Sequence, residues 1–90
     1  MADSMLKTLM ENNRVNVLNV TFQPGEKAPM HHHPDHVVYV KSGGKLAMTS
    51  EGKTDNVDFT QGQVIFFNEV SHSIENNGPT TVDLLVVELK

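Results

Sequence analysis

Apolar and polar residues alternate in short runs along most of this chain, the period-two pattern of strands with one buried face. The run VNVLNVTF (15–22) comes first. VVYV (37–40), KLAMT (45–49), VDFT (57–60), VIFF (64–67), SHSIE (71–75) and TTVDLLVVEL (80–89) follow, rich in β-branched and aromatic residues. Turn residues separate them at Pro24-Gly25, Ser42-Gly43-Gly44, Glu51-Gly52, Gln61-Gly62 and Asn76-Asn77-Gly78-Pro79. Short strands punctuated in this way predict an all-β sandwich or barrel rather than βαβ units. One segment, Ser4–Asn13, reads differently. Met5, Leu6, Leu9 and Met10 share a helix face there, with Ser4 as cap and Asn12-Asn13 as the end; an added strand is the alternative. The chain thus divides into an N-terminal extension, residues 1–14, and a single barrel domain, residues 15–90. The extension is either a short helix or a strand that engages a second subunit.

Length sharpens that last expectation. A domain of 90 residues buries only roughly 60–65% of its unfolded surface, so its core is thin. No cysteine is present to supply a disulfide, thiolate ligand or thiol nucleophile. Oligomerisation is the remaining common support, and a homodimer is expected. The net charge is −4 and the seven Lys/Arg are scattered singly, which argues against a nucleic-acid partner. No apolar run reaches membrane-spanning length. The opening MADSMLKTLMENNR lacks the basic and apolar regions of a secretory signal, so a cytoplasmic location is the expectation.

Chemistry concentrates in PGEKAPMHHHPDHVVYV, which holds His31, His32, His33 and His36 of the five histidines. A purification-tag remnant would sit at a terminus, whereas these lie mid-chain and run into a strand. Gly25 precedes His31-His32-His33 by five residues, and His36 precedes Gly43 by six. Further on, Gly62 is followed by QVIFF, Asn68, His72, three residues and Asn76. Eighteen residues separate Gly43 from Gly62.

These two spacings, in this order and each in a strand–turn context, resemble the paired motifs of the cupin superfamily. The likeness spans about Val15 to Leu89. It implies a double-stranded β-helix, a small barrel with a metal or ligand site inside. It departs from the family pattern at three points. His36 stands where the family usually has glutamate, the gap from His33 to His36 is short, and Asn68 replaces the usual proline.

On their own chemistry the histidines point the same way, because imidazole is the commonest protein ligand for Zn, Cu, Fe and Ni. Alternate strand residues share a face, so His31 and His33 project together and His32 faces away. His36 shares parity with Val38 and Val40, which requires one phase slip, most naturally a bulge at Pro34-Asp35. Pairing His32 with His36 avoids the slip but breaks the glycine spacing. The expected ligands are His31, His33, His36 and His72, holding a divalent transition metal (Fe, Ni, Zn, Cu or Mn). Protons should displace it below roughly pH 6. Met48, Phe66 and Phe67 are candidates for the cavity wall. Tyr39 has the opposite parity to His36, Asp35 reads as a turn residue, and Asn68 and Glu69 fall near the mouth. The family implies a metal-dependent enzyme, dioxygenase-like, acting on a small organic molecule. An isomerase or lyase, or a binding module without turnover, are the alternatives.

Overall fold

The computed structural model describes residues 6–90, and every regular element among them is a strand. In chain order these are β1 (Leu6–Glu11), β2 (Val15–Phe22), β3 (Lys27–His33), β4 (His36–Ser42) and β5 (Gly44–Ser50), then β6 (Lys53–Phe59), β7 (Val64–Phe67), β8 (Val70–Glu75) and β9 (Val82–Leu89). They form a five-stranded sheet, β1-β2-β9-β4-β7, and a four-stranded sheet, β3-β8-β5-β6. The all-β barrel expected from the alternation is present. Its core is the inner period-two set: Leu18, Val20 and Phe22 of β2, Val82, Leu84 and Val86 of β9 and Val38 and Val40 of β4 line one sheet, and Leu46, Phe59 and Ile74 come from the other.

From Leu6 the extension is a strand, and it joins the barrel's own five-stranded sheet rather than standing apart from it for a second subunit. Leu6–Glu11 pairs antiparallel with β2, with a bulge between Thr8 and Met10. The helical alternative fails because tertiary pairing overrides the helix propensity of Leu, Lys, Met and Glu: β1 supplies hydrogen-bond partners to an otherwise open edge. The supposed cap Ser4 and first apolar position Met5 lie outside the described residues.

The motif glycines have local causes. Gln23-Pro24-Gly25-Glu26 and Thr60-Gln61-Gly62-Gln63 each close a four-residue turn with an i+3 N–H to i C=O bond of 2.9 Å. Gly25 and Gly62 sit at φ 87° and 86°, the left-handed position that type II turns reserve for glycine. Gly43 is constrained differently, since a Cβ there would lie 2.4 Å from the Phe59 carbonyl oxygen.

Two of the corners that carry the chain between sheets are bonded to each other. Pro34-Asp35 leads from β3 in one sheet to β4 in the other, and Asn68-Glu69 leads from β7 back to β8. The Glu69 amide donates to Asp35 Oδ1 at 2.8 Å, and Leu89 N donates to the Asp35 carbonyl at 2.9 Å. The expected bulge at Pro34-Asp35 is therefore a sheet-to-sheet corner. Proline suits it because no ladder bond is asked of its nitrogen. A true register shift does occur in β3, between Ala28 and His31. It falls at Pro29-Met30 for the same reason.

Candidate metal centre

The corner brings histidines from both sheets to one end of the barrel interior. His31 and His72 are directly opposed across the β3–β8 ladder, His33 lies two residues further along β3, and His36 opens β4. His33, His36 and His72 are buried; His31 is partly exposed. Ring centroids are 4.6 Å apart for His31–His33, 4.8 Å for His31–His72, 5.3 Å for His33–His72 and 4.9 Å for His33–His36. One ring nitrogen each from His31, His33 and His72 lies within 4.8 Å of the others; His36 is outside that group. It stacks instead against Phe67, with centroids 5.4 Å apart.

Hydrogen bonds set which nitrogen of each ring faces inward. His31 Nδ1–H donates to the Pro29 carbonyl and His36 Nδ1–H to the Pro34 carbonyl, each at 2.7 Å. His33 Nδ1–H donates to Glu88 Oε2 at 2.5 Å. These bonds hold all three rings in the tautomer that leaves Nε2 as a lone pair. His72 Nε2 is buried with no hydrogen-bond partner. An orphaned nitrogen beside the fixed acceptors of His31 and His33 is costly unless a cation joins them. The donor set fits a first-row divalent ion.

His32 is elsewhere. It is exposed, with Nδ1 at 3.0 Å from Ser71 Oγ and Nε2 at 3.2 Å from Glu69. Asp35 is occupied at its corner, and Tyr39 is exposed on the outer face. Met48 and Phe67 line the cavity, but Phe66, a candidate for its wall, is 55% exposed and points outward. Glu88 is the residue missed from sequence. The period-two run Val82-Leu84-Val86-Glu88 puts a carboxylate on the inner face at the end of β9. That parity was the available signal.

The histidines form one end of a cavity of about 230 Å³. The other twelve of its sixteen lining residues are apolar, including Leu6, Val20, Phe22, Val38, Phe59 and Leu84.

Burial, reinforced by the charges that His31, His33 and His36 would carry, pushes the His72 imidazole down to about 4. Burial likewise lowers His33, against the opposing pull of Glu88. Proton competition at His72 thus sets in near pH 4, well below the pH 6 expected from unperturbed imidazole. The unfolded chain protonates His72 near pH 6.5, so it holds more protons than the fold between those values. Metal-free protein should therefore lose stability as pH falls from 6.5 to 4, by about 3 kcal/mol from this residue. Urea unfolding at about pH 7 and pH 4.5 measures this, and His72→Ala should flatten the dependence. An equal slope in both proteins would remove His72 as its source.

The comparisons follow the same line. The cupin domain family model matches residues 18–88, and the chain belongs to that family. No curated protein sequence matches it. A cupin domain from Bordetella pertussis Tohama I is 26% identical and superposes with a TM-score of 0.89, over 94% of this chain and 91% of that one. A predicted oxalate decarboxylase from Thermotoga maritima is 25% identical with a TM-score of 0.68, covering 93% and 77%. The polyketide cyclase RemF from Streptomyces resistomycificus, 23% identical with a TM-score of 0.68 over 93% and 63%, shares the fold.

Proposed function

We propose that this cupin is a metal-dependent enzyme acting on a small, largely apolar molecule that reaches the metal through a single polar head. The observation that carries the reading is the unpartnered His72 Nε2 grouped with the His31 and His33 imidazoles, whose tautomers are fixed. His31, His33 and His72 would hold the ion, with His36 as a fourth donor. Bound there, a divalent transition metal supplies a Lewis acid and, when redox-active, an electron-transfer centre. The chain contributes orientation and dryness: twelve apolar side chains exclude water and offer a substrate no polar anchor besides the histidine end.

Among the described residues, no carboxylate, lysine or tyrosine lines the cavity to move a proton. Addition of both atoms of O₂ to the substrate asks least of such a wall. This favours a dioxygenase over an isomerase or lyase, which need a general base. A module without turnover would instead require protein donors to fill every coordination position, whereas three histidines with His36 as a fourth donor leave a six-coordinate ion open positions. Elemental analysis of protein purified without added metal, followed by oxygen uptake with short apolar acids, diketones and thiols, tests the reading. Stoichiometric metal with substrate-dependent uptake supports it. Metal without uptake on any of these favours the module.

The partner surface is a second copy of this chain. Across the outer face of the five-stranded sheet, Met10, Val17, Val87, Val37 and Phe66 stand in one paired row without a charge. Leu85, Tyr39 and Val64 extend it in the next row. Strands about 4.8 Å apart and rows about 6.7 Å apart give these residues a footprint of roughly 260 Å², an apolar centre to which a rim must add most of the ~800 Å² per partner of stable interfaces. An uncharged centre lets two chains of net charge −4 approach each other. Light scattering should give twice the 10.0 kDa chain mass, and Phe66→Asp should give the single mass. A wild-type monomer at micromolar concentration would overturn this.

A further inference from the structure

The barrel turns the Glu88 carboxylate onto one of the clustered histidines. Glu88 follows Val82, Leu84 and Val86 on the inner face of β9, and its side chain is only 14% exposed. In the ladders it stands between Asn16 of β2 and His36 of β4. Oε2 accepts from His33 Nδ1–H, and Oε1 accepts from Asn16 Nδ2 at 3.4 Å. Among the described residues no lysine or arginine pairs with it. A carboxylate this enclosed needs a compensating positive charge. A neutral imidazole does not supply one.

We propose that Glu88 is a positioning residue of the metal centre, orienting His33 through Nδ1 and supplying the negative charge that an all-histidine donor set lacks. The inference rests on the reading of these histidines as metal ligands. Four neutral imidazoles leave a divalent ion its full charge, and the family's usual glutamate is absent at position 36. Glu88 places a carboxylate one imidazole away, where it raises the basicity of His33 and offsets part of that charge. The ion in turn provides the positive partner that Glu88 lacks. Asn16 holds the far oxygen, so the carboxylate stays turned toward His33.

Two variants separate orientation from charge. Glu88→Gln is nearly isosteric and can still accept from His33, whereas Glu88→Ala removes both functions. Zn²⁺ and Co²⁺ affinities measured by competition with a chromophoric chelator should fall roughly 10–100-fold in Glu88→Gln and at least as far in Glu88→Ala. Glu88→Asp, which keeps the charge, should recover part of the loss. In metal-free protein, ¹⁵N NMR should show His33 as the Nδ1–H tautomer in the wild type and as a mixture in Glu88→Ala. Glu69→Gln, at the exposed carboxylate beside His32, serves as the control and should leave affinity unchanged. Wild-type protein that binds neither ion would bring down the metal reading itself. Tight wild-type binding with unchanged affinity in folded Glu88→Gln and Glu88→Ala would overturn the role of Glu88 alone.

Discussion

Replacing His72 with alanine should abolish tight metal binding while the barrel stays folded. The side chain removed is buried, makes no hydrogen bond through Nε2, and belongs to the three-histidine group. Its loss should cost more than the roughly 100-fold attached to an outer hydrogen-bond partner, because a donor disappears rather than its orientation. His31→Ala and His33→Ala should behave alike, since each removes one member of the same group. His36→Ala should cost less, because its ring packs on Phe67 outside that group. His32→Ala should be silent: its contacts are to Ser71 and Glu69 on the outer surface. Metal stoichiometry for the five variants, with melting temperature in excess Zn²⁺ as a second readout, makes the comparison. A bound ion at 100 times its Kd adds about 2.7 kcal/mol to the native state, and that shift should vanish with His72. Loss of metal from His32→Ala, with retention in His31→Ala and His33→Ala, would move the site to the other face of β3.

Much of this arrangement was legible because β-structure writes itself at period two. Val15–Phe22 and Val64–Phe67 match β2 and β7 at both ends, and the inward parity of His36 with Val38 and Val40 follows from the same alternation. The alternation fails where both faces of a strand are apolar. In VIFF every residue could face inward, and the ladder alone shows that Phe66 sits opposite Val37 on the outside while Phe67 opposes His36. It fails again where pairing is non-local. Lys27–His33 has three histidines and a proline among its seven residues, yet β8 holds it as a strand. Leu6–Glu11 carries helix-forming residues and is a strand because β2 offers an edge.

The site was legible in its ligand types and not in its supports. Histidine spacing against glycine located the cluster, since both first glycines occupy left-handed turn positions that begin the strands bearing the motifs. Glu88 lies 55 residues from His33 in sequence, so no local spacing connects them. The phase difference between His33 and His36 was correctly read, but its cause was a corner joining two sheets. A bulge and a corner produce the same parity change along one chain; they differ in which strands become neighbours.

Asn76→Ala should destabilise the protein severely with no direct effect on metal ligation. Asn76 closes the second histidine motif but faces away from any ligand role: it is fully buried, with Nδ2 donating to the Phe22 carbonyl at 2.9 Å and the Thr80 carbonyl at 2.8 Å. Its Oδ1 accepts from Gly78 N at 3.0 Å. Its backbone bonds to Gly25 and Glu26 as well, so one residue ties the end of β8 to the β2–β3 turn and the loop before β9. Alanine would strand two carbonyls and an amide at about 1 kcal/mol or more each, a cost of roughly 3 kcal/mol or more. A domain of this size holds only about 5–13 kcal/mol in total. Asn76→Asp should be worse than alanine although it is nearly isosteric. It keeps the acceptor for Gly78 but turns a second carboxylate oxygen toward two carbonyl oxygens, burying an unpaired charge among acceptors. Urea midpoints of the metal-free proteins should therefore rank wild type above Asn76→Ala above Asn76→Asp. The gap between the two variants should narrow at acid pH, where the aspartate protonates and can donate one of the lost bonds. Equal midpoints for wild type and Asn76→Ala would mean that the three bonds contribute nothing net and that the asparagine is held for the metal site instead.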